Sequence, residues 1–236
     1  MKKRPKNVIY ALLMIGIFSI LAVSCKKDDN NNNPASTVTD YDGNIYNTVT
    51  IGTQVWMAEN LKTTTLNDGT VISTASDNAT WSNLSTPGYC FYNDAGINKN
   101  TYGALYNYLA VKSGKLAPQG WHVPTDAEWT VLITYLGGEN AAGGLMKSTG
   151  TVEASDGKWL APNTGATNES GFSALPGGYR SFDGVFYANG SYGNWWTVTD
   201  SYASLAFYCY LHSSDTKALG DIFNEKGGFS VRCVKD

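Results

Sequence analysis

Glycine and proline recur every few residues through the second half of this chain, and that spacing limits what the chain can fold into. Beyond Gly150 they include Pro162, Gly165, Gly171, Pro176, Gly177, Gly178, Gly184, Gly190 and Gly193. Both residues are unfavourable inside helices and frequent in turns, so long helices are excluded from this half. Aromatic residues occupy the gaps, which predicts short strands joined by long loops rich in glycine and aromatic residues.

The strand-like segments lie at the two ends of the folded region. Residues 44–51 and 54–57 contain strand formers on either side of a Gly-Thr turn, which predicts a hairpin. Three further strands are predicted at 195–198, 205–211 and 229–234. We assign the apolar residues of the hairpin to a sheet core.

Two main helices are predicted between these groups of strands. The first covers residues 101–112, and the second follows Thr125, which forms with Glu128 the sequence pattern of a capping box. The apolar stripe of the second helix consists of Trp129, Leu132, Ile133 and Leu136. A short further helical turn is predicted at 141–147. Few helices and many short strands predict an α+β fold class.

The N-terminus has the layout of a secretory leader. Basic residues between Lys2 and Lys6 precede an apolar run of 16 residues at 8–23, whereas a spanning helix needs about 20. Residues 21–25 resemble a bacterial lipobox, which predicts a signal peptide at 1–24 and acylation of Cys25. A single-pass membrane anchor is the alternative.

The segment after Cys25 has the composition of a linker. Residues 26–37 contain no apolar residue larger than alanine, so we expect 25–38 to form a flexible tether. Its Lys-Lys-Asp-Asp start is similar to the surface-export signal of Bacteroidetes lipoproteins, which implies the outer face of the outer membrane. A lipoprotein that faces the periplasm is the alternative. Residues 39–236 show no internal boundary and are interpreted as one domain.

The charge of the chain is distributed unevenly. The first 24 residues hold four of the 17 Lys and Arg and no acidic residue, which leaves 13 basic residues against 20 acidic ones. An acidic domain is a poor partner for phosphate backbones, so nucleic-acid binding is not expected.

A series of ordered motifs resembles the Fibrobacter succinogenes major paralogous domain over residues 39–236. The motifs lie at 42–46, 51–61, 102–107, 120–129, 162–168, 170–180 and 228–234. That family brings no established activity. The Gly-Trp-x-x-Pro-Thr-x-x-Glu-Trp segment at 120–129 is also similar to the formylglycine-generating family, which implies a C-type-lectin-like fold. That enzyme uses reactive cysteines with copper, and this chain shows no matching pair, so we do not expect its activity.

Three cysteines remain besides Cys25, and they allow one disulfide. Cys209 and Cys233 lie on two predicted terminal strands, so we favour that pair. Closing the loop of about 25 residues between these two cysteines would stabilise the fold by about 3 kcal/mol. Cys90–Cys233 is an alternative pairing, and three free buried thiols is another. Many family members carry a cysteine where this chain has Ala117.

Aromatic residues in or beside loops are the main candidates for ligand contact. They are Trp81, Tyr92, Tyr187, Tyr192, Trp195 and Trp196. Exposed Tyr and Trp rings are preferred anchors in binding surfaces. Side chains alternate along a strand, so at most one of Trp195 and Trp196 is expected inside. The alternative is that these rings attach long loops to the sheet.

The sequence offers little material for a metal site or a catalytic site. It contains two histidines, and His122 is expected to pack or form hydrogen bonds rather than bind a metal. Asn163, Asn168 and Glu169 have ligand oxygens suited to Ca²⁺, although such residues in glycine-rich loops mostly form turns. No cofactor is expected, and no hydrolase or phosphate-binding motif is present.

These features together predict a surface lipoprotein, attached to the membrane by a lipid, whose domain binds without catalysis. The predicted partner is a glycan or another surface protein, in a binding or adhesion role. A structural role in a surface assembly is the first alternative. A glycan hydrolase is the second, because the separation of two carboxylates in space is not readable from sequence.

Overall fold

A computed structural model describes residues 36–236, so the predicted leader, Cys25 and most of the tether lie outside the described residues. The strands are β1 Thr37–Thr39, β2 Ile45–Ile51, β3 Gln54–Met57, β4 Ser73–Thr74, β5 Gly88–Cys90, β6 Leu105–Tyr106, β7 Trp121–His122, β8 Tyr179–Arg180, β9 Phe186–Tyr187, β10 Tyr192–Asp200, β11 Leu205–His212, β12 Ala218–Asn224 and β13 Val234–Lys235. The α-helices are α1 Asn78–Ser82, α2 Asn98–Tyr102, α3 Tyr108–Lys112, α4 Asp126–Tyr135 and α5 Glu139–Met146. Tyr92–Asp94 forms a 3₁₀ turn. These elements confirm the α+β class.

The strands form four small sheets. The largest has the order β1-β2-β3-β13-β7, and the second is an antiparallel sheet in the order β10-β11-β12. Two smaller sheets are β4-β5-β6 and the pair β8-β9. The first strand begins at Thr37, which is inside the predicted tether, and pairs with β2 from Thr37 opposite Asn47.

The predicted N-terminal hairpin is confirmed. Strands β2 and β3 pair in antiparallel register, with Ile51 opposite Gln54 at the turn. Tyr46 and Trp56 from its two strands are fully buried.

The sheet β10-β11-β12 lies between two hydrophobic clusters. Trp195, Cys209 and Leu211 belong to one cluster, and buried residues of α4 and α5 pack against them in that cluster. Trp196 and Ala206 belong to the other cluster, which also contains Phe229. The two faces of β10 at Trp195 and Trp196 are therefore both covered.

The predicted helix at 101–112 was wrong. The chain instead forms α2, strand β6 and α3 over this stretch. Gly103 has a φ of +76°, which ends α2, and Leu105 then pairs with Cys90 of β5. The side chain of Asn107 accepts a hydrogen bond from the backbone N–H of Ala110 and starts α3.

The second predicted helix is confirmed as α4, with its capping box. The Thr125 hydroxyl accepts from the backbone N–H of Glu128, and the Glu128 carboxylate accepts from the backbone N–H of Thr125. Trp129, Leu132 and Leu136 face the core. The predicted turn at 141–147 is α5, and no helix within residues 36–236 is long and apolar enough to cross a bilayer.

The C-terminal segment differs from the prediction. Strand β12 was missed, and residues 229–234 form a connector instead of one continuous strand. The backbone of this connector hydrogen-bonds to Leu61, Tyr106 and Asn194 before Val234 enters β13. The connector thus joins separate sheets, which explains why its residues alternate in type without belonging to a single ladder.

A buried guanidinium lies at the centre of these connections. Arg232 is fully buried and donates through Nη2 and Nε to Asn60 Oδ1, at 2.8 Å and 3.2 Å. The same oxygen accepts from Trp195 Nε1 at 2.8 Å. Arg232 also donates to the Phe172 carbonyl and lies over the Phe172 ring, 4.1 Å from its centroid. Burial lowers the pKa of Arg232 to about 9.

Candidate functional site

A groove lined mainly by aromatic side chains lies on one face of the sheet β10-β11-β12. Its volume is about 330 Å³, within the range of small-ligand sites. We call it the aromatic groove, and its lining residues are Tyr179, Ala188, Tyr192, Asn194, Tyr208, Tyr210, Asp221, Phe223 and Phe229.

The register of the sheet brings these side chains to one face. Tyr210 lies opposite Asn194 on β10, and Tyr208 lies opposite Asp221 on β12. Tyr192 is paired with His212 at the end of the ladder. Successive side chains of a strand point to opposite faces, so Tyr208 and Tyr210 lie on the same face of β11. Their partners Asp221 and Asn194 lie on that face as well. The opposite face carries Cys209 and Leu211, which pack into the core.

The aromatic rings of the groove contact one another. Ring centroids of Tyr208 and Tyr210 are 5.8 Å apart, and those of Tyr192 and Tyr210 are 6.1 Å apart. Phe223 lies 6.3 Å from Tyr208, and Phe229 closes the inner end 4.6 Å from Tyr208. Tyr192, Tyr208 and Tyr210 are half-buried. The groove therefore presents partly exposed rings on a rigid strand.

The hairpin β8-β9 forms one wall of the groove. Tyr179 stacks on Tyr187 at 5.6 Å and contacts Phe223 at 5.7 Å. The wall depends on Gly178, which has a φ of +65° and where a Cβ atom would lie 2.4 Å from the Tyr187 carbonyl oxygen. No larger residue fits this approach without movement of the wall.

Among the described residues that line the groove, Asp221 is the one charged side chain, since the lining contains no Glu, Lys or Arg. Burial, together with the charge of Asp221, raises the pKa of Tyr208 and of Tyr210. Their phenols therefore stay protonated at neutral pH and are available as hydrogen-bond donors. Within residues 36–236 these two hydroxyls form no hydrogen bond to the protein.

Three of the six predicted ligand-binding aromatics are buried, and the prediction is wrong for them. Trp81 is 1 % exposed and donates to the Lys226 carbonyl, with Arg180 over its ring. Trp195 and Trp196 are both 0 % exposed. They do face opposite sides of the sheet, but each side is covered by its own hydrophobic cluster. The loop-attachment alternative describes these three rings.

The other three predicted aromatics lie nearer the surface. Tyr192 lines the groove, and Tyr187, which is 43 % exposed, backs its wall. Tyr92 is half-buried against Phe186 behind that wall. Sequence reasoning missed Tyr179, Tyr208, Tyr210, Asp221 and Phe223. The alternating Tyr208 and Tyr210 gave a signal, but β12, which carries Asp221 and Phe223, was not predicted.

The predicted disulfide between Cys209 and Cys233 is not formed. Cys90, Cys209 and Cys233 are all free and buried, and each belongs to a different hydrophobic cluster. Burial raises the pKa of all three thiols, to about 12 for Cys90. The open alternative of three free buried thiols is the observed arrangement.

The weak Ca²⁺ candidates differ in exposure and in hydrogen bonding. The buried Asn163 donates from Nδ2 to the carbonyls of Ser148 and Gly150, which lie 15 and 13 residues earlier, and Asn168 bonds with Ser173 within one local turn. Glu169 is exposed. Within residues 36–236 no group of three His, Cys, Asp or Glu side chains is placed to hold a metal.

His122 links the C-terminus to the start of α4. Its Nδ1 lies 2.6 Å from Asp236 Oδ1, and its Nε2 lies 2.8 Å from Glu128 Oε1. Burial opposes the protonated form, but hydrogen bonds and charge from both carboxylates outweigh it and raise the pKa of His122. The expectation that His122 forms hydrogen bonds is confirmed.

Comparison with known proteins places the domain in a family. Neither the curated proteins nor the solved structures gave a match, so the C-type-lectin-like similarity has no support from them. The model of the Fibrobacter succinogenes major domain matches residues 49–235, which is most of the chain. The protein belongs to the Fibrobacter succinogenes major domain family.

Proposed function

We propose that the domain binds glycan chains, without catalysis, through the aromatic groove. The observation that carries this proposal is the row of half-buried tyrosines on one sheet face beside the carboxylate of Asp221. Sugar rings present apolar C–H faces that pack on aromatic rings, and their hydroxyls pair with carboxylates and phenols. A groove with these two chemistries suits a neutral, hydroxyl-rich ligand.

The arrangement favours binding over hydrolysis. Glycoside hydrolysis normally uses two carboxyl groups on either side of the scissile bond. Among the described residues that line the groove, Asp221 supplies the carboxylate and no Glu or second Asp accompanies it. The three buried thiols are unsuited to nucleophilic chemistry, because burial raises their pKa values.

A second proposal concerns the fold. We infer a C-type-lectin-like variant from the Gly120–Trp129 segment, which forms β7 and the first turns of α4. An experimental structure that superposes on that fold would support it, and one that superposes on a different α+β fold would contradict it.

We also propose that the domain is displayed on the outer membrane through acyl chains on Cys25. The lipobox-like sequence and the polar segment after it support this placement. Protease treatment of intact cells should remove the domain, and Cys25→Ser should release it from the membrane fraction. A domain that stays protected from protease in intact cells would contradict surface display.

The binding proposal is tested with the full chain, kept soluble in mild detergent, on a glycan array. Binding should be lost in the double variant Tyr208→Ala/Tyr210→Ala and kept in Tyr202→Ala, whose ring is 78 % exposed and outside the groove. No glycan binding, together with co-purification of other surface proteins, would instead favour a structural role. Release of product from a polysaccharide would favour a hydrolase.

A further inference from the structure

The aromatic rings around the groove continue beyond its lining into a longer row. Starting from His212, successive ring centroids are separated by 4.2 Å to Tyr192, 6.1 Å to Tyr210 and 5.8 Å to Tyr208. The row goes on 6.3 Å to Phe223 and then 6.4 Å to Phe182. We call these six residues the ring row.

The direction of the ring row is set by β11. Tyr208, Tyr210 and His212 occupy alternate positions of that strand, so their rings follow its axis with the two-residue repeat. Tyr192 and Phe223 come from the neighbouring strands on the same face. Phe182, which is 50 % exposed, extends the row past the edge of the sheet. One sugar ring would cover a single step of this row, whereas a linear polymer would cover several.

The charge along the groove part of the ring row is one-sided. Asp221 lies opposite Tyr208 on β12, and the lining contains no Lys or Arg within the described part of the chain. An acidic glycan would bring its carboxylates or sulfates next to Asp221 without a cation to offset them. An amino sugar would place an ammonium group near the same carboxylate.

Resting on the proposed glycan-binding function, the geometry points to a narrower ligand class. The ligand is an internal stretch of a linear polysaccharide, neutral or carrying amino groups, with its chain axis along β11. The ring row provides successive stacking positions, and Asp221 discriminates against acidic glycans.

The test uses the full chain in mild detergent and isothermal titration with defined oligosaccharides. The probes are β-1,4-linked N-acetylglucosamine oligomers from dimer to hexamer, the glucosamine hexamer and the galacturonate hexamer. Affinity should rise steadily with chain length, and the glucosamine hexamer should bind about three- to fivefold tighter than the neutral one. The galacturonate hexamer should bind more weakly than both.

Three variants separate the parts of the inference. Phe182→Ala, at the end of the ring row, should weaken hexamer binding about threefold and leave dimer binding unchanged, whereas Tyr210→Ala should weaken both about tenfold. Asp221→Asn should remove the preference for glucosamine over galacturonate and should weaken binding of the glucosamine hexamer more than binding of the neutral hexamer. The matched control Glu139→Gln, on α5, should change none of these values.

The outcomes distinguish this inference from the function on which it rests. If affinity does not depend on chain length, or if galacturonate binds as tightly as glucosamine, the ligand class is overturned and glycan binding stands. If the glycan identified on the array is acidic, or is bound only through its chain end, the ligand class is likewise overturned. If no glycan binds on the array, the proposed function itself fails.

Discussion

Replacing Asn60 by Leu should strongly destabilise the fold, because Asn60 holds together two buried donors from distant parts of the chain. Its Oδ1 accepts from Trp195 Nε1 and from two nitrogens of Arg232, all buried. Leucine has a similar size but no acceptor. The substitution therefore leaves an indole N–H and part of a buried guanidinium without their partner.

The magnitude follows from the kind of group that loses its partner. An unpaired buried neutral donor costs about 1–3 kcal/mol, and removing the partner of a buried charge costs about 3–5 kcal/mol. Arg232 keeps its bond to the Phe172 carbonyl, which reduces the loss. We therefore expect Asn60→Leu to lower the free energy of unfolding by about 4 kcal/mol.

A double-mutant cycle separates the charge from simple loss of packing. Arg232→Met removes the guanidinium, so adding Asn60→Leu on that background should cost much less than it does alone. We expect a coupling of about 2 kcal/mol between the two positions in urea unfolding followed by tryptophan fluorescence. Asn140→Leu, on the exposed side of α5, serves as the control and should shift stability by less than about 0.5 kcal/mol. Additivity of the two substitutions within about 0.5 kcal/mol would refute the reasoning.

Three further predictions concern other parts of the fold. The cysteines at 90, 209 and 233 should all be alkylated after denaturation without reductant, and dithiothreitol should leave the unfolding midpoint unchanged; a mass two alkyl groups short would show a disulfide. Because the pKa of His122 is raised in the fold, its stabilising contribution should be complete below about pH 6.5 and be lost as pH rises through the raised value. The stability difference between wild type and His122→Ala should therefore shrink with rising pH, and a difference independent of pH would contradict this. Gly178→Ala should destabilise the domain by about 1–3 kcal/mol, through the strained φ and the contact with the hairpin wall. Thermal unfolding measures this loss. The matched Gly96→Ala, where a Cβ meets nothing within 4 Å, should leave the unfolding temperature nearly unchanged.

The features that the sequence predicted correctly depend on residues close together in the chain. The capping box of α4 needs only Thr125 and Glu128, and the hairpin β2-β3 needs only its turn and the strand formers beside it. The helix predicted at 101–112 is wrong because the conformation of this stretch depends on residues far away in the chain. Leu105 has helical spacing with Tyr108 and Leu109, but pairing of Leu105 with β5, and of Tyr106 with Phe229 far away in sequence, favours a strand there.

The sequence by itself determined the punctuated α+β character, the family and the alternation of side chains along each strand. Tertiary structure decided which of those side chains are covered. Alternation places Trp195 and Trp196 on opposite faces of β10, yet both are buried because α4 covers one face and Phe229 the other. The same nonlocal packing separates the three cysteines into different clusters and leaves Tyr208 and Tyr210 partly open beside Asp221. Local patterns fix the direction of a side chain, whereas burial depends on segments that arrive from elsewhere in the chain.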